Sequence, residues 1–104
     1  MFQNISGETF YRLAEEKDAV IIDVRSMPEV RDGMIPNALV MDIFQPDFPQ
    51  KIQELDKDKT YLMYCRSGNR SAQACSYMAQ LGFTKLYNLA GGMMYWTGPV
   101  EVPA

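Results

Sequence analysis

Histidine is absent from this 104-residue sequence, and cysteine occurs only twice. The first absence excludes a Cys-His or Ser-His catalytic pair within the chain and removes the commonest metal ligand. Two cysteines make no disulfide scaffold, and no C-x-x-C pair suggests zinc. No apolar run approaches the ~20 residues that cross a bilayer, and no basic segment precedes an apolar signal core. Basic residues are not in excess: ten Lys and Arg against thirteen Asp and Glu give a net charge of -3. That balance leaves no footprint for nucleic acid. The expected protein is cytoplasmic and monomeric, with no membrane partner, no metal and no organic cofactor. Any covalent chemistry must activate its nucleophile without an imidazole.

What is present reads as an alternation of helical and extended signals. The composition, 47% hydrophobic and 22% charged, is that of an ordinary globular protein. Ser6 is a candidate N-cap for a helix in "GETFYRLAEEKD", where Phe10, Leu13 and Ala14 share a face. "AVIIDV" (19–24) and "TYLMYC" (60–65) are continuous apolar runs of the kind buried on both faces of a parallel sheet. "ALVMDI" (38–43) and "KLYNL" (85–89) read as further strands, and "MPEVRDG" as a short helix with Pro28 near its start. "QPDFP" reads as a loop, "QKIQEL" as a short amphipathic helix, and Ser71 to Leu81 as a helix closed by Gly82. The pattern predicts one α/β domain over residues 1–104, with a parallel sheet of about five strands and helices on both faces. Residues 100–104 are expected to fray.

In such a sheet, functional groups gather beyond the carboxyl ends of the strands. Asp23 and Arg25 fall at one such end and Cys65 at another, followed by Arg66-Ser67-Gly68-Asn69-Arg70-Ser71. A buried structural cysteine is one reading of Cys65; a nucleophile in an anion-binding cradle is the other. The second has a mechanism. A strand-to-helix loop aims free N–H groups and the helix dipole at the sulfur. Gly68 allows the backbone turn that a nest of amides needs, and Arg66 and Arg70 add charge.

Acidity alone is a weak reason for a cradle. Lowering a thiol from ~8.5 to ~6.5 raises the thiolate about 25-fold at neutral pH but costs roughly 8-fold in nucleophilicity, a net gain of about 3-fold. Holding an anionic substrate or intermediate is the stronger reason. Phosphate or arsenate transfer and sulfur transfer both use such loops. Phosphatase loops have the form C-x5-R, whereas Cys65 to Arg70 is C-x4-R. The shorter ring better matches the outer sulfur of a persulfide.

The motifs in order resemble a single-domain rhodanese, a sulfurtransferase family, over nearly the whole length. They are Asp23-Val24-Arg25, Pro28-Glu29, Gly33-Met34-Ile35-Pro36-Asn37-Ala38, the Cys65–Ser71 loop, and Leu89-Ala90-Gly91-Gly92 with Trp96. The resemblance implies a rhodanese-like three-layer fold. It implies that Cys65 takes a sulfane sulfur from thiosulfate or a similar donor and passes it to cyanide or a thiol, or to a partner sulfur-carrier protein. On that reading the amides from Arg66 through Ser67, Gly68 and Asn69 to Ser71 hold the terminal sulfur. Arg70 stabilises the anionic donor, and Arg66 guards the entrance.

Other roles compete. A non-catalytic persulfide carrier, a phosphatase or arsenate reductase, and a scaffold with an inert thiol are the rivals. Asp23 is expected to accept from loop amides and Arg25 to pair with Glu29, both as scaffold. Cys75 falls on a core stripe with Ala72, Met78 and Ala79. Met93, Met94, Tyr95 and Trp96 either line the pocket entrance or pack the C-terminal segment. Met34 stands where the family usually has histidine, and Asn37 where it has glycine; asparagine tolerates a positive φ.

Overall fold

The two apolar runs form the centre of the sheet. A computed structural model describes residues 1–104. In it β2 (Ala19–Asp23) and β4 (Thr60–Tyr64) pair in parallel, from Ala19 opposite Thr60 to Asp23 opposite Tyr64. β5 (Leu86–Leu89) lies beside β4, and β3 (Leu39–Val40) beside β2. The sheet has five strands in the order β1-β5-β4-β2-β3, all parallel, with β1 (Gln3–Ile5) at the edge against β5. β1 was not foreseen. "QNI" carries no apolar run, and only its pairing with a distant strand makes it extended.

Helices cover both faces, as the α/β reading requires. α3 (Phe48–Gln53) and α4 (Asn69–Gln80) close one face over Ile22, Val24, Met63, Cys75 and Met78. α1 (Gly7–Leu13) closes the other over Phe10, Ile21, Leu62, Tyr64 and Leu89. Successive strand residues thus feed opposite cores, and each fully buried large side chain contributes about 1.5–3 kcal/mol. Ser6 caps α1 as expected, accepting the Thr9 N–H at 3.2 Å. No helix is long and apolar enough to cross a membrane.

Boundaries differ in ways that have causes. α1 stops at Leu13, short of the charged end of its predicted span. β3 keeps only two of six expected residues: β2 ends at Asp23, and beyond it only single bonds continue, Met41 N–H to Asp23 O and Ile43 N–H to Val24 O. α3 begins inside the expected loop, since Pro49 occupies a first-turn position where its missing N–H costs nothing. The C-terminal tail does not simply fray. Met34 and Glu101 exchange both backbone hydrogen bonds at 2.8 Å, an isolated antiparallel bridge. Asn37 takes φ 70°, the left-handed conformation its side chain tolerates.

The register brings Asp23 and Tyr64 side by side, so the chain leaves both central strands at one edge. α2 (Met27–Arg31) follows there, tied back by a buried ion pair. Arg25 Nε donates to Asp23 Oδ1 at 3.0 Å and Nη2 to Oδ2 at 2.8 Å. The Arg25 backbone N–H also donates to Oδ1, and the Tyr64 hydroxyl to Oδ2 at 2.7 Å. Arg25 Nη2 reaches the Gly33 carbonyl at 2.7 Å. The expected Arg25–Glu29 pair is therefore wrong. Arg25 meets only the Glu29 carbonyl oxygen, at 3.4 Å, because a buried guanidinium takes the equally buried carboxylate two residues back. Asp23 accepts from the Arg25 amide but from no amide of the Cys65 loop. Removing one partner strands a buried charge, so Asp23→Ala should lose about 3–5 kcal/mol of stability in urea denaturation.

Candidate functional site

Cys65 is the first residue beyond β4, and the loop after it is shaped from outside. Gly91 and Gly92, both at positive φ, turn the chain after β5 into a 3-10 turn over Gly92–Met94. Met93 N–H donates to the Cys65 carbonyl and Met94 N–H to the Arg66 carbonyl, each at 3.0 Å. The Gly68 carbonyl accepts from Ala72 N–H and from Asn88 Nδ2, both at 3.1 Å. All peptides here are trans, so each carbonyl held outward turns the following N–H inward. A Cβ at Gly92 would run into the Cys65 and Arg66 carbonyls, so the approach requires glycine there.

On neighbouring peptides of the same loop, a second set of donors surrounds Sγ. Gly68 N–H lies 3.1 Å from it, Ser71 N–H 3.4 Å, and Ser71 Oγ 3.3 Å. Gly68 sits at φ 101°, a conformation for which a side chain would be strained. Cys65 has no exposed surface, yet its sulfur is not sealed among apolar groups alone. Burial pushes the thiol up; the Ser71 hydroxyl and the Ser71, Gly68 and Ser67 amides outweigh it, so the thiol lies below its ordinary value. Cys75 shows the contrast. It lies in the core between α4 and the sheet, and burial alone pushes it up to about 12.

The arginines divide. Arg70 is forked onto Glu29, with Nη1 to Oε1 at 2.7 Å and Nη2 to Oε2 at 2.8 Å. Glu29 also accepts from Ser26 Oγ at 3.0 Å and so closes the cap of α2. These bonds, Arg70 first, hold the Glu29 carboxyl down at about 2. Arg66 is exposed and makes no ion pair; with Arg25, Glu29, Asp32, Met93 and Met94 it lines a cavity of about 410 Å³. Ser67 and Asn69 face outward and are exposed. Trp96 packs edge-on against Phe10, 5.6 Å between ring centroids, so it belongs to the α1 core. A larger cavity of about 480 Å³, between α1 and Ile35, Leu39 and Trp96, is lined mostly by apolar residues and holds no cysteine.

The Rhodanese-like domain model matches residues 6–99. The chain belongs to the rhodanese-like domain family. A sulfurtransferase of Allochromatium vinosum is 39% identical to it over 97 residues, 92% of this chain and 89% of that one. A putative sulfurtransferase of Bacillus subtilis, YtwF, is 45% identical over 90 residues, 86% and 84% of the two chains. The thiosulfate sulfurtransferase GlpE of Coxiella burnetii is 30% identical over 96 residues, 92% and 88%. Among solved structures, a rhodanese-related protein of Thermoplasma volcanium superposes with a TM-score of 0.85 at 30% identity, covering 97% of this chain and 99% of that one. The rhodanese-like fold and the sulfurtransferase family are thereby shown.

Sequence reasoning placed Cys65 and its loop together but missed Asn88 and the carbonyl-holding role of Met93 and Met94. The double glycine was the one local signal for the latter. Two outcomes follow for the rhodanese-like site. Ser71→Ala removes a donor from Sγ, so the thiolate's ultraviolet absorbance should titrate about one unit higher. The Glu29 carboxyl is lowered from 4.5 to about 2, so its contribution is complete above 4.5 and lost as pH falls toward 2. Between those values the urea midpoint of the native protein should fall more steeply than that of Glu29→Gln, which keeps the capping acceptor.

Proposed function

We propose that this chain is a thiosulfate-type sulfurtransferase working through a Cys65 persulfide. The observation that carries the reading is the convergence of the Gly68 and Ser71 amides and the Ser71 hydroxyl on one sulfur. The Cys65 thiolate attacks the outer sulfur of thiosulfate; the S–S bond of the donor breaks, and sulfite leaves with the electron pair. The product, Cys65–S–S⁻, carries its charge one bond further out, toward the amides of Arg66, Ser67 and Asn69. Cyanide or a thiolate then takes the terminal sulfur, and the Cys65 thiolate returns. No imidazole is needed, because no step requires a proton from a side chain.

One observation supports a second reading, a persulfide carrier loaded by a partner protein. Arg70 is occupied by Glu29, which leaves Arg66 as the unpaired guanidinium of the loop. A dianionic donor then meets one free cation instead of two. A phosphatase is disfavoured by the same pairing and by the C-x4-R spacing, which leaves less room for a tetrahedral oxyanion.

Incubation with thiosulfate should add one sulfur, ~32 Da by intact mass, to the protein and nothing to Cys65→Ala. Thiocyanate released over many turnovers identifies the enzyme. Stoichiometric loading without turnover identifies the carrier, and no mass gain from thiosulfate or from any persulfide rejects both.

A further inference from the structure

Asn88 is the one buried polar residue near the loop whose presence the persulfide reading does not explain. It lies on β5, 2% exposed, on the sheet face that carries α4. Its strand neighbours Leu86 and Leu89 are core residues, and Met63 is its cross-strand partner. An apolar side chain would suit this position. Instead the Asn88 amide is buried with its Oδ1 lacking any hydrogen-bond partner, an uncompensated cost. Its Nδ2 explains what is obtained in exchange. One bond runs 3.1 Å to the Gly68 carbonyl, the other 2.9 Å to Asn4 Oδ1 on the edge strand. The orientation is forced. Turning the amide over would set Oδ1 against the Gly68 carbonyl oxygen, which can only accept.

We propose that Asn88 is a positioning residue that fixes the amide cradle around Cys65 by holding the Gly68 carbonyl away from the sulfur. Gly68 is the pivot. Its own N–H points at Sγ, and its carbonyl belongs to the peptide whose N–H is that of Asn69. Gly68 at φ 101° has no side chain to resist rotation about its backbone, so the restraint must come from its hydrogen bonds. Ala72 N–H supplies one as the first bond of α4, and Asn88 supplies the other from the sheet. Asn4 completes the device. It sits directly opposite Asn88 in the β1–β5 register and fixes the amide's second donor.

This rests on the reading of Cys65 as the working sulfur, but its test needs no sulfur donor. The thiolate absorbance of the full-length protein is titrated between about pH 4 and 9, where Cys75, held at about 12, stays silent. Asn88→Leu keeps the branched shape and removes the donor; Asn4→Ala, on an exposed edge residue, loosens the amide with little risk to folding. Asn88→Leu should raise the Cys65 midpoint by about half a unit or more, a threefold loss of thiolate on the acid side. Asn4→Ala should move it the same way by less, and neither shift should track the urea midpoint. A midpoint unchanged in a folded Asn88→Leu overturns the proposal. If that variant does not fold, an unchanged midpoint in Asn4→Ala overturns it. A shifted midpoint in a protein that takes sulfur from no donor rejects the sulfurtransferase reading and leaves the positioning role standing.

Discussion

A trans peptide that points its carbonyl one way must point its N–H the other, and the shape of the Cys65 loop depends on that constraint at Arg66, Ser67 and Asn69. The Cys65, Arg66 and Gly68 carbonyls are each occupied by a donor outside the loop: Met93, Met94, and Ala72 with Asn88. A seven-residue loop free in water would have no reason to gather its amides on one sulfur, since solvent satisfies them equally well anywhere. The gathering is a tertiary effect. It requires the 3-10 turn after β5 to lie against the loop, and Gly92 is what lets it come that close.

The electrostatics follow the same economy. Burial opposes a charge on Cys65, and short-range hydrogen bonds from Ser71, Gly68 and Ser67 overcome it. The buried or half-buried charges at this edge are matched in pairs, Asp23 with Arg25 and Glu29 with Arg70. Those pairs hold α2 to the sheet and to α4, so they act on the frame around the sulfur. A frame of matched charges leaves the local dipoles to set the field at Sγ, and fixed dipoles need no reorganisation when the charge moves out to a second sulfur.

Much of this was legible because it is local. The apolar runs at 19–24 and 60–65, the positive φ at Gly68 and Asn37, the Ser6 cap, and the C-x4-R spacing are all set within a few residues. The Cys75 stripe was legible in part: Met78 is buried with it and Ala79 packs against the same core, but the buried alanine is Ala74, not Ala72. What was missed involves partners far apart in sequence. β1 is a strand only because β5 is beside it, and the Asn4–Asn88 bond spans 84 positions. Glu29 was assigned to Arg25, four residues away, when its partner was Arg70, 41 away. Proximity along the chain is a good guide to helices and caps and a poor one to which carboxylate meets which guanidinium. The tail misled similarly: nothing in "VEVPA" shows that Glu101 finds the backbone of Met34.

The sheet order has a consequence for biosynthesis. β1 pairs only with β5, so during synthesis the first strand has no partner in the sheet until residues 86–89 are made. A growing polypeptide therefore brings out Cys65 before residues 88–94 are free to shape its surroundings. During that interval the Met93, Met94 and Asn88 donors to the loop carbonyls are missing. The topology therefore couples the finished shape of the loop to the closing of the far edge of the sheet.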